Sequence, residues 1–186
     1  MEEAGQVPKA VTDGSAGTPV DEKTYREVVQ FLYREAELQD LKKNREWLAL
    51  WTQDASYFMP LRVTKEREVS GLLERKQGGF IVDNREFLED RVRREETDFA
   101  WAENPPSRTR HFISNIQVEE GGGKNEVKVK SNNLVYVHRG DDTSYDTFSY
   151  GRQDILRKVD GSWKIASRVI ITDQSRLTID RISFFL

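Results

Sequence analysis

Two histidines carry the most obvious capacity for acid–base chemistry in this sequence. His111 and His138 are the only imidazoles in the chain. An imidazole paired with a carboxylate can serve as a general acid or base, and Asp98 or Asp40 could supply that carboxylate to His111. Such a pair would suit a small hydro-lyase or isomerase. The alternative for His111 is a hydrogen-bonded strand residue near a subunit contact, and for His138 a surface or turn position.

The numbers of cysteine and histidine residues argue against thiol chemistry and against a metal site in this chain. The chain contains no cysteine, which excludes disulfides, thiolate nucleophiles, zinc–thiolate sites and cysteine-held iron–sulfur clusters. His111, His138 and one carboxylate would match a facial triad of metal ligands by number alone. However, the two histidines are far apart in the sequence and no local His-x-x-Asp pattern accompanies either of them. We therefore predict no metal site in this chain.

Charge and hydropathy narrow the partners further. The 29 basic and 32 acidic residues give a formal net charge of −3, so no electrostatic pattern favours nucleic acid or an anionic membrane. No apolar run approaches the ~20 residues that a membrane span needs. Residues 1–20 lack the basic and then apolar order of a secretory signal. We expect them to form a disordered tail on a cytoplasmic protein.

Helical spacing dominates the first half of the remaining chain. Asp21 is a candidate N-cap for a first helix. The apolar residues expected on its inward face are Tyr25, Val28, Val29, Leu32, Tyr33 and Ala36. Asn44 is a candidate cap for a shorter helix that carries Trp47, Leu48, Leu50 and Trp51. A third helix is expected over residues 84–94, with Phe87, Leu88 and Val92 facing inward.

From residue 99 onward the pattern changes to the period of two that is typical of strands. Phe112, Ile116 and Val118 are expected to share one face of a strand, followed by a turn at residues 121–124. Asp160-Gly161 is a strong signal for a two-residue hairpin turn. Long antiparallel strands after helices predict an α+β fold. We expect one curled, mainly antiparallel sheet packed on the N-terminal helices, in a single domain over residues 21–186.

Several segments resemble a known family. The run from Trp47 to Tyr57, followed by long strands, resembles the cone of the nuclear-transport-factor-2-like (NTF2-like, cystatin-like) fold. Three further segments, residues 31–40, 101–115 and 149–158, are similar to those of β subunits of Rieske-type aromatic-ring-hydroxylating dioxygenases. The resemblance is to the biphenyl, toluene and polycyclic type. It covers roughly residues 24–186, and its most specific part is WAENPPSRTRHFISN.

The resemblance implies a non-catalytic structural subunit without a cofactor of its own. Its partner would be a catalytic α subunit that holds a Rieske 2Fe–2S cluster and a mononuclear Fe(II), and the assembly would be an α3β3 hexamer that includes other β subunits. A ferredoxin and a reductase would deliver electrons from NADH, and the complex would cis-dihydroxylate aromatic hydrocarbons with O2. On this interpretation no residue of the present chain is catalytic, and the acid–base enzyme using His111 remains the alternative.

Two regions are candidate subunit interfaces. Consecutive prolines make the loop before the strand of His111 stiff, and tryptophan and arginine are frequent at interface hot spots. The candidates in and beside this loop are Trp101, Asn104, Pro105, Pro106, Arg108 and Arg110. The apolar residues Phe184, Phe185 and Leu186 must also be hidden from water, either on the cone or against a neighbouring subunit.

Overall fold

The computed structural model describes residues 17–65, 68–72, 78–96, 107–141, 143–174 and 184–186. The helices are α1 (Glu22–Asp40), α2 (Asn44–Leu48) and α3 (Arg85–Glu95). The strands are β1 (Trp51–Pro60), β2 (Arg62–Lys65), β3 (Glu68–Leu72), β4 (Gly79–Asn84), β5 (Arg108–Glu120), β6 (Glu126–His138), β7 (Asp146–Val159) and β8 (Ser162–Thr172).

Polar side chains set where two of the three helices begin. The Asp21 carboxylate accepts a hydrogen bond from the Thr24 N–H at 3.0 Å, and Asn84 caps α3 by accepting from the Phe87 N–H at 2.9 Å. The predicted cap at Asp21 is confirmed, and the third helix begins next to residue 84, as predicted. The predicted cap at Asn44 is wrong by one position, because Lys43 is the N-cap of α2. The Asn44 amide instead donates to the Glu95 carboxylate at 2.6 Å.

The inward face of α1 differs from the one that apolar spacing predicts. Tyr25 and Tyr33 are exposed, although both were expected to face the core. The buried positions are Val28, Leu32, Glu35, Ala36, Leu38 and Gln39. The inward face of the helix is therefore shifted around its axis relative to the predicted face. Glu35 can occupy an inward position because it has charged partners inside the fold, and counting apolar residues alone does not identify such a position. A similar correction applies to α3, where Leu88 and Val92 are buried but Phe87 is exposed.

The sheet has six strands in the order β4-β1-β8-β7-β6-β5. Strands β5 to β8 form an antiparallel meander, and β1 pairs antiparallel with β4. The pairing of β1 with β8 is parallel, with Tyr57 of β1 opposite Arg168 of β8. Because α2 ends at Leu48, the predicted helical position of Trp51 is wrong, and this tryptophan begins β1. The sheet is therefore mainly antiparallel, as predicted, and curls around the helices.

A β-bulge in β5 explains why the predicted inward face of this strand is only partly right. The pairing of β5 with β6 shifts between Ser114 and Gln117, and Asn115 within this interval has a φ of 50°. An extra residue at a bulge reverses which side chains face the core. Val118 is consequently buried, whereas Phe112, which has the same parity in the sequence, is exposed.

The turns and the N-terminal segment complete the layout. Asp160 and Gly161 connect β7 to β8 with φ values of 49° and 79°, which confirms the predicted hairpin turn. Residues 17–20 belong to the predicted disordered tail, yet Pro19 bridges to Glu119 and the Glu120 N–H donates to the Thr18 carbonyl at 2.9 Å. The rest of that tail, residues 1–16, lies outside the described residues.

The core lies between the concave side of the sheet and the helices. It joins Val28 and Leu32 of α1 to Trp47 of α2 and to inward strand residues such as Val135 and Ile165. Val127, Val129, Val135 and Val137 share one parity of β6, and all four are buried. In the part of the chain that the structure describes, none of the helices is both long enough and apolar enough to cross a membrane.

Candidate functional site

The interior of the cone contains four buried charged side chains. Glu35 projects from the inward face of α1, and Arg152, Asp154 and Arg168 project from β7 and β8. Residues 148, 150, 152, 154 and 156 have the same parity in β7, and all are buried. Asp154 lies opposite Arg168 in the register of the two strands. The local alternation of the strands therefore brings these charges together.

Arg168 is the centre of this cluster. All five N–H donors of an arginine have acceptors here, in Glu35, Asp154 and the carbonyl oxygen of Leu186. The shortest of these contacts joins Nη1 to Oε1 of Glu35 at 2.6 Å. The guanidinium also lies over the Trp51 ring, 5.0 Å from its centroid. Arg168 is thus fixed from several directions in a site that excludes water.

Arg152 balances the remaining charge. Its Nε lies 3.1 Å from Asp154 and its Nη2 lies 3.2 Å from Glu35, although neither nitrogen makes a hydrogen bond. Burial by itself raises the pKa of Glu35, but the charges of Arg168 and Arg152 outweigh burial and lower it from 4.5 to about 2. The Trp47 indole N–H adds a hydrogen bond to the same carboxylate at 3.1 Å. Glu35 is therefore ionised at neutral pH, and the four charges compensate one another.

Phe184, Phe185 and Leu186, together called the 184–186 segment, occupy the space beside this cluster. The ring of Phe185 stacks on that of Trp47 with centroids 4.1 Å apart and an interplanar angle of 23°. Leu186 is fully buried, and the two phenylalanines are nearly so. Of the two alternatives for hiding these residues, the structure shows packing inside their own cone. Their nomination as subunit-interface residues stays a prediction, although little of their surface is exposed in this chain.

His111 and Asp40 form the acid–base pair that the sequence suggested. Nδ1 of His111 lies 2.7 Å from Oδ1 of Asp40, and the main-chain N–H of His111 donates to the same carboxylate. The other ring nitrogen, Nε2, lies 3.1 Å from the carbonyl oxygen of Phe185. The imidazole is only 3% exposed. Asp98, the other nominated carboxylate, lies outside the described residues.

The second histidine, His138, ends β6 opposite Arg108 and is not part of this pair. Nδ1 of His138 lies 3.0 Å from Nη2 of Arg108, which also donates to the Gly140 carbonyl at 2.7 Å. The predicted surface position of His138, at the end of β6, therefore has polar partners. Among the described residues, no group of three or more His, Cys, Asp or Glu side chains could hold a metal ion.

The remaining interface candidates divide between described and undescribed parts of the chain. Arg108 and Arg110 are exposed on β5, and the Arg110 guanidinium lies 3.7 Å from Asp40. Trp101, Asn104, Pro105 and Pro106 lie outside the described residues. Phe112, Leu134 and Tyr145 are exposed apolar residues of the same region of the sheet. Arg110 pairs with Tyr136 and Phe112 with Leu134 across β5 and β6, so these residues share one surface.

The charged cluster is the part of the site that sequence reasoning missed. Its signal was present in β7, because Arg152 and Asp154 have the parity of the buried residues Phe148, Tyr150 and Leu156. Glu35 could have been found from its position three residues after Leu32, on the same helical face. Both signals were overlooked because inward positions were identified by apolar residues alone.

Comparison with known proteins gives consistent results. A family model described as the ring hydroxylating beta subunit matches residues 34–179. The beta subunit of biphenyl 2,3-dioxygenase from Rhodococcus jostii (strain RHA1) is 37% identical over 174 residues, covering 90% of this chain and 91% of that protein.

Two solved structures have the same architecture. A structure of naphthalene 1,2-dioxygenase with indole bound in its active site superposes with a TM-score of 0.78 and 21% identity, covering 90% of this chain and 88% of that one. The beta subunit of a benzoate 1,2-dioxygenase from Burkholderia mallei gives a TM-score of 0.63 and 26% identity, covering 84% and 93%. The similarity to solved structures confirms the predicted fold class, an NTF2-like cone with a curled sheet.

Proposed function

This chain belongs to the ring-hydroxylating beta-subunit family, and from that premise we propose that it supports a catalytic dioxygenase α subunit without taking part in the chemistry. The family predicted from the sequence is thereby confirmed, and the chain is a β subunit of aromatic-ring-hydroxylating dioxygenases. The finer proposal concerns its role. The complex would be a cytoplasmic α3β3 hexamer that cis-dihydroxylates aromatic hydrocarbons with O2 and electrons from NADH.

The observation that carries the non-catalytic role is the filled interior of the cone. A catalytic pocket of this fold needs open space beside polar groups that converge on a substrate. Here Phe185 stacks on Trp47 in that space. All five N–H groups of Arg168 donate hydrogen bonds to acceptors in the same chain. In the described part of the chain, Trp47 and Arg168 are fully buried and Phe185 is 7% exposed, so these side chains offer little surface to a substrate.

The rival function is an acid–base enzyme, and the pair of His111 and Asp40 is the observation in its favour. A general base must reach the proton that it removes. The imidazole of His111 is 3% exposed, and both its nitrogens face partners from the same chain, in Asp40 and Phe185. The geometry therefore favours a positioning role, in which His111 links the end of α1 to the 184–186 segment.

The cofactors of the proposed complex belong to the partner. A Rieske 2Fe–2S cluster takes two cysteine and two histidine ligands, and this chain has no cysteine. The donor atoms present thus do not fit that cluster. We assign the cluster and the mononuclear Fe(II) to the α subunit, with a ferredoxin and a reductase supplying its electrons.

The surface around Arg108 and Arg110 is the proposed contact with neighbouring subunits. Contiguous exposed apolar residues mark interaction sites on soluble proteins, and this surface combines Phe112 and Leu134 with the two arginines. Tyr136 and Tyr145 extend it, with ring centroids 5.0 Å apart. Arginine and aromatic residues together are typical of interface hot spots.

Co-expression with the α subunit tests the proposal directly. We expect the purified complex to have the mass of an α3β3 hexamer, to contain iron, and to consume O2 with an aromatic hydrocarbon when ferredoxin, reductase and NADH are supplied. The chain purified alone should contain no iron and oxidise nothing. A chain that stays a monodisperse monomer in the presence of α would contradict the proposal.

A pair of variants locates the contact. Arg108→Ala should weaken assembly while leaving the melting temperature of the isolated chain nearly unchanged, because the side chain is exposed. Arg26→Ala is the matched control, since Arg26 is an exposed arginine that forms an ion pair with Glu22 of the same helix. Equal effects of the two substitutions on the mass of the complex would remove this surface from the interface.

A further inference from the structure

The backbone of the 184–186 segment is held in an unusual way. Phe185 and Leu186 lie outside any helix or strand, so the described part of the chain gives their backbone no ladder of main-chain hydrogen bonds. Side chains from three strands bind their polar groups instead. His111 of β5 contacts the Phe185 carbonyl oxygen at 3.1 Å, and Arg168 of β8 donates to the Leu186 carbonyl oxygen at 2.8 Å.

Tyr57 of β1 supplies the third contact. Its hydroxyl lies 3.2 Å from the Leu186 N–H, from which it accepts, and 3.3 Å from the Leu186 carbonyl oxygen, to which it donates. Burial raises the pKa of Tyr57 to about 12, so the hydroxyl keeps the proton that this donation requires. Both polar groups of the Leu186 backbone are therefore recognised.

Each of the three binding side chains is also held by a partner outside the segment. Asp40 fixes the imidazole of His111, and Glu35 and Asp154 fix Arg168. The Tyr57 ring packs at a tilt against Trp51, with centroids 5.5 Å apart. These partners preorganise the arrangement, because each binding side chain is held by at least one residue outside the segment.

We infer that the interior of the cone is a peptide-binding site, and that the 184–186 segment is its intramolecular ligand. The ligand class is a short peptide in which an aromatic residue precedes an aliphatic one. The aromatic ring stacks on Trp47, and the aliphatic side chain fills the fully buried position of Leu186. His111, Tyr57 and Arg168 bind the backbone of these two ligand residues. This inference goes beyond the support of an α subunit and does not depend on it.

Covalent connection keeps the site occupied in the intact chain. A tethered ligand is present at an effective concentration in the millimolar range or above, so a free peptide cannot compete with it at ordinary concentrations. A chain that lacks residues 184–186 should therefore bind the same sequence supplied as a separate molecule. Because polar side chains contact the backbone of residues 185 and 186, we expect peptide binding to depend on the peptide backbone as well as on its aromatic ring.

The test uses a chain that ends at residue 183 and two peptides, acetyl-Ser-Phe-Phe-Leu-amide and acetyl-Ser-Phe-Ala-Leu-amide. The first peptide should raise the melting temperature of the shortened chain in a saturable way and change its tryptophan fluorescence. The second lacks the ring that stacks on Trp47, and it should bind at least tenfold more weakly. The full chain is the control, and neither peptide should shift its melting temperature.

A second variant keeps the inference testable if the shortened chain does not fold. Phe185→Ala in the full chain retains the tether and the Leu186 contacts but empties the position beside Trp47. At millimolar concentration, the Phe-Phe-Leu peptide should displace this weakened segment and raise the melting temperature of the variant, whereas the Phe-Ala-Leu peptide should not. Equal effects of the two peptides, or no effect of either on both variants, would overturn the inference.

Discussion

Replacing Arg168 by methionine is expected to destabilise the isolated chain by about 3–5 kcal/mol. The substitution retains an unbranched apolar stem but removes the guanidinium from the centre of the buried cluster. Glu35 and Asp154 would then keep only Arg152 as a cationic partner. Breaking a buried ion pair on one side is costly because the remaining charge stays out of water without compensation.

The magnitude follows from burial and contact number. Arg168 and Glu35 have no exposed side-chain surface, and Asp154 has 1%. The remaining guanidinium, that of Arg152, approaches both carboxylates but makes no hydrogen bond through the two nitrogens nearest to them. Domains of this size are stable by about 5–15 kcal/mol in total. The variant should therefore retain between none and about four fifths of its stability.

Urea unfolding at pH 7, followed by tryptophan fluorescence and circular dichroism, measures this loss. Arg157→Met is the matched control, because Arg157 also contacts two carboxylates, those of Asp54 and Glu126, but its side chain is 35% exposed. Exposed pairs contribute about 1 kcal/mol or less. A loss below about 1 kcal/mol for Arg168→Met, or equal losses for the two variants, would refute the reasoning.

The dependence on pH provides a second check. The pKa of Glu35 is lowered from 4.5 to about 2 in the folded chain, so its ionised form contributes stability above pH 4.5 that is lost as the pH falls towards 2. This contribution amounts to about 3 kcal/mol. In Arg168→Met the charge that most lowers the pKa of Glu35 is removed, and we expect burial to raise this pKa. Protonation of Glu35 at low pH should then remove the uncompensated buried charge and stabilise the folded variant. The difference between the natural chain and Arg168→Met should consequently narrow between pH 7 and pH 4, and a constant difference would contradict this account.

Three further substitutions test separate features, each by urea unfolding. Phe185→Ala should cost about 3–5 kcal/mol because it removes the ring stacked on Trp47, and a loss under 1 kcal/mol would mean that the segment is loosely packed. Asn84→Ala removes the α3 cap and should cost about 1 kcal/mol, whereas Asn84→Ser should restore most of it. Gly161→Ala should destabilise the fold by about 1–2 kcal/mol, because φ at residue 161 is 79°. The added Cβ would meet no atom within 4 Å, so backbone strain alone is tested. An unchanged stability would show that the turn tolerates alanine.

Much of the fold was accessible from local patterns. The caps at Asp21 and Asn84, the hairpin at Asp160-Gly161 and the alternation of buried valines in β6 each depend on neighbouring residues, and the structure contains all of them. Their physical causes act over a few residues, through side-chain hydrogen bonds, backbone φ values and the period of the strand. Sequence patterns report such causes well.

The remaining features depend on residues that are distant in the sequence. The inward position of Glu35 becomes favourable only because Arg168 comes from β8, and the reversal of parity in β5 follows from a bulge at Asn115. The burial of Phe184 and Phe185 likewise needs the cone to exist first. The reversal of parity in β5 and the burial of the two phenylalanines have no signature in the residues that immediately surround them, and the local signal of Glu35 did not identify its partner.

The parallel pairing of β1 with β8 has a consequence for the order of folding. The pairs β5–β6, β6–β7 and β7–β8 each join strands that are consecutive in the chain, so each hairpin closes a short loop at low entropic cost. β1 must instead reach β8 across the whole intervening chain, and contacts of such separation form slowly. The meander can therefore assemble first, while α1 and β1 join it late. Since Tyr57 and Glu35 arrive with β1 and α1, the interior that receives Phe185 is completed only in the final stage of folding.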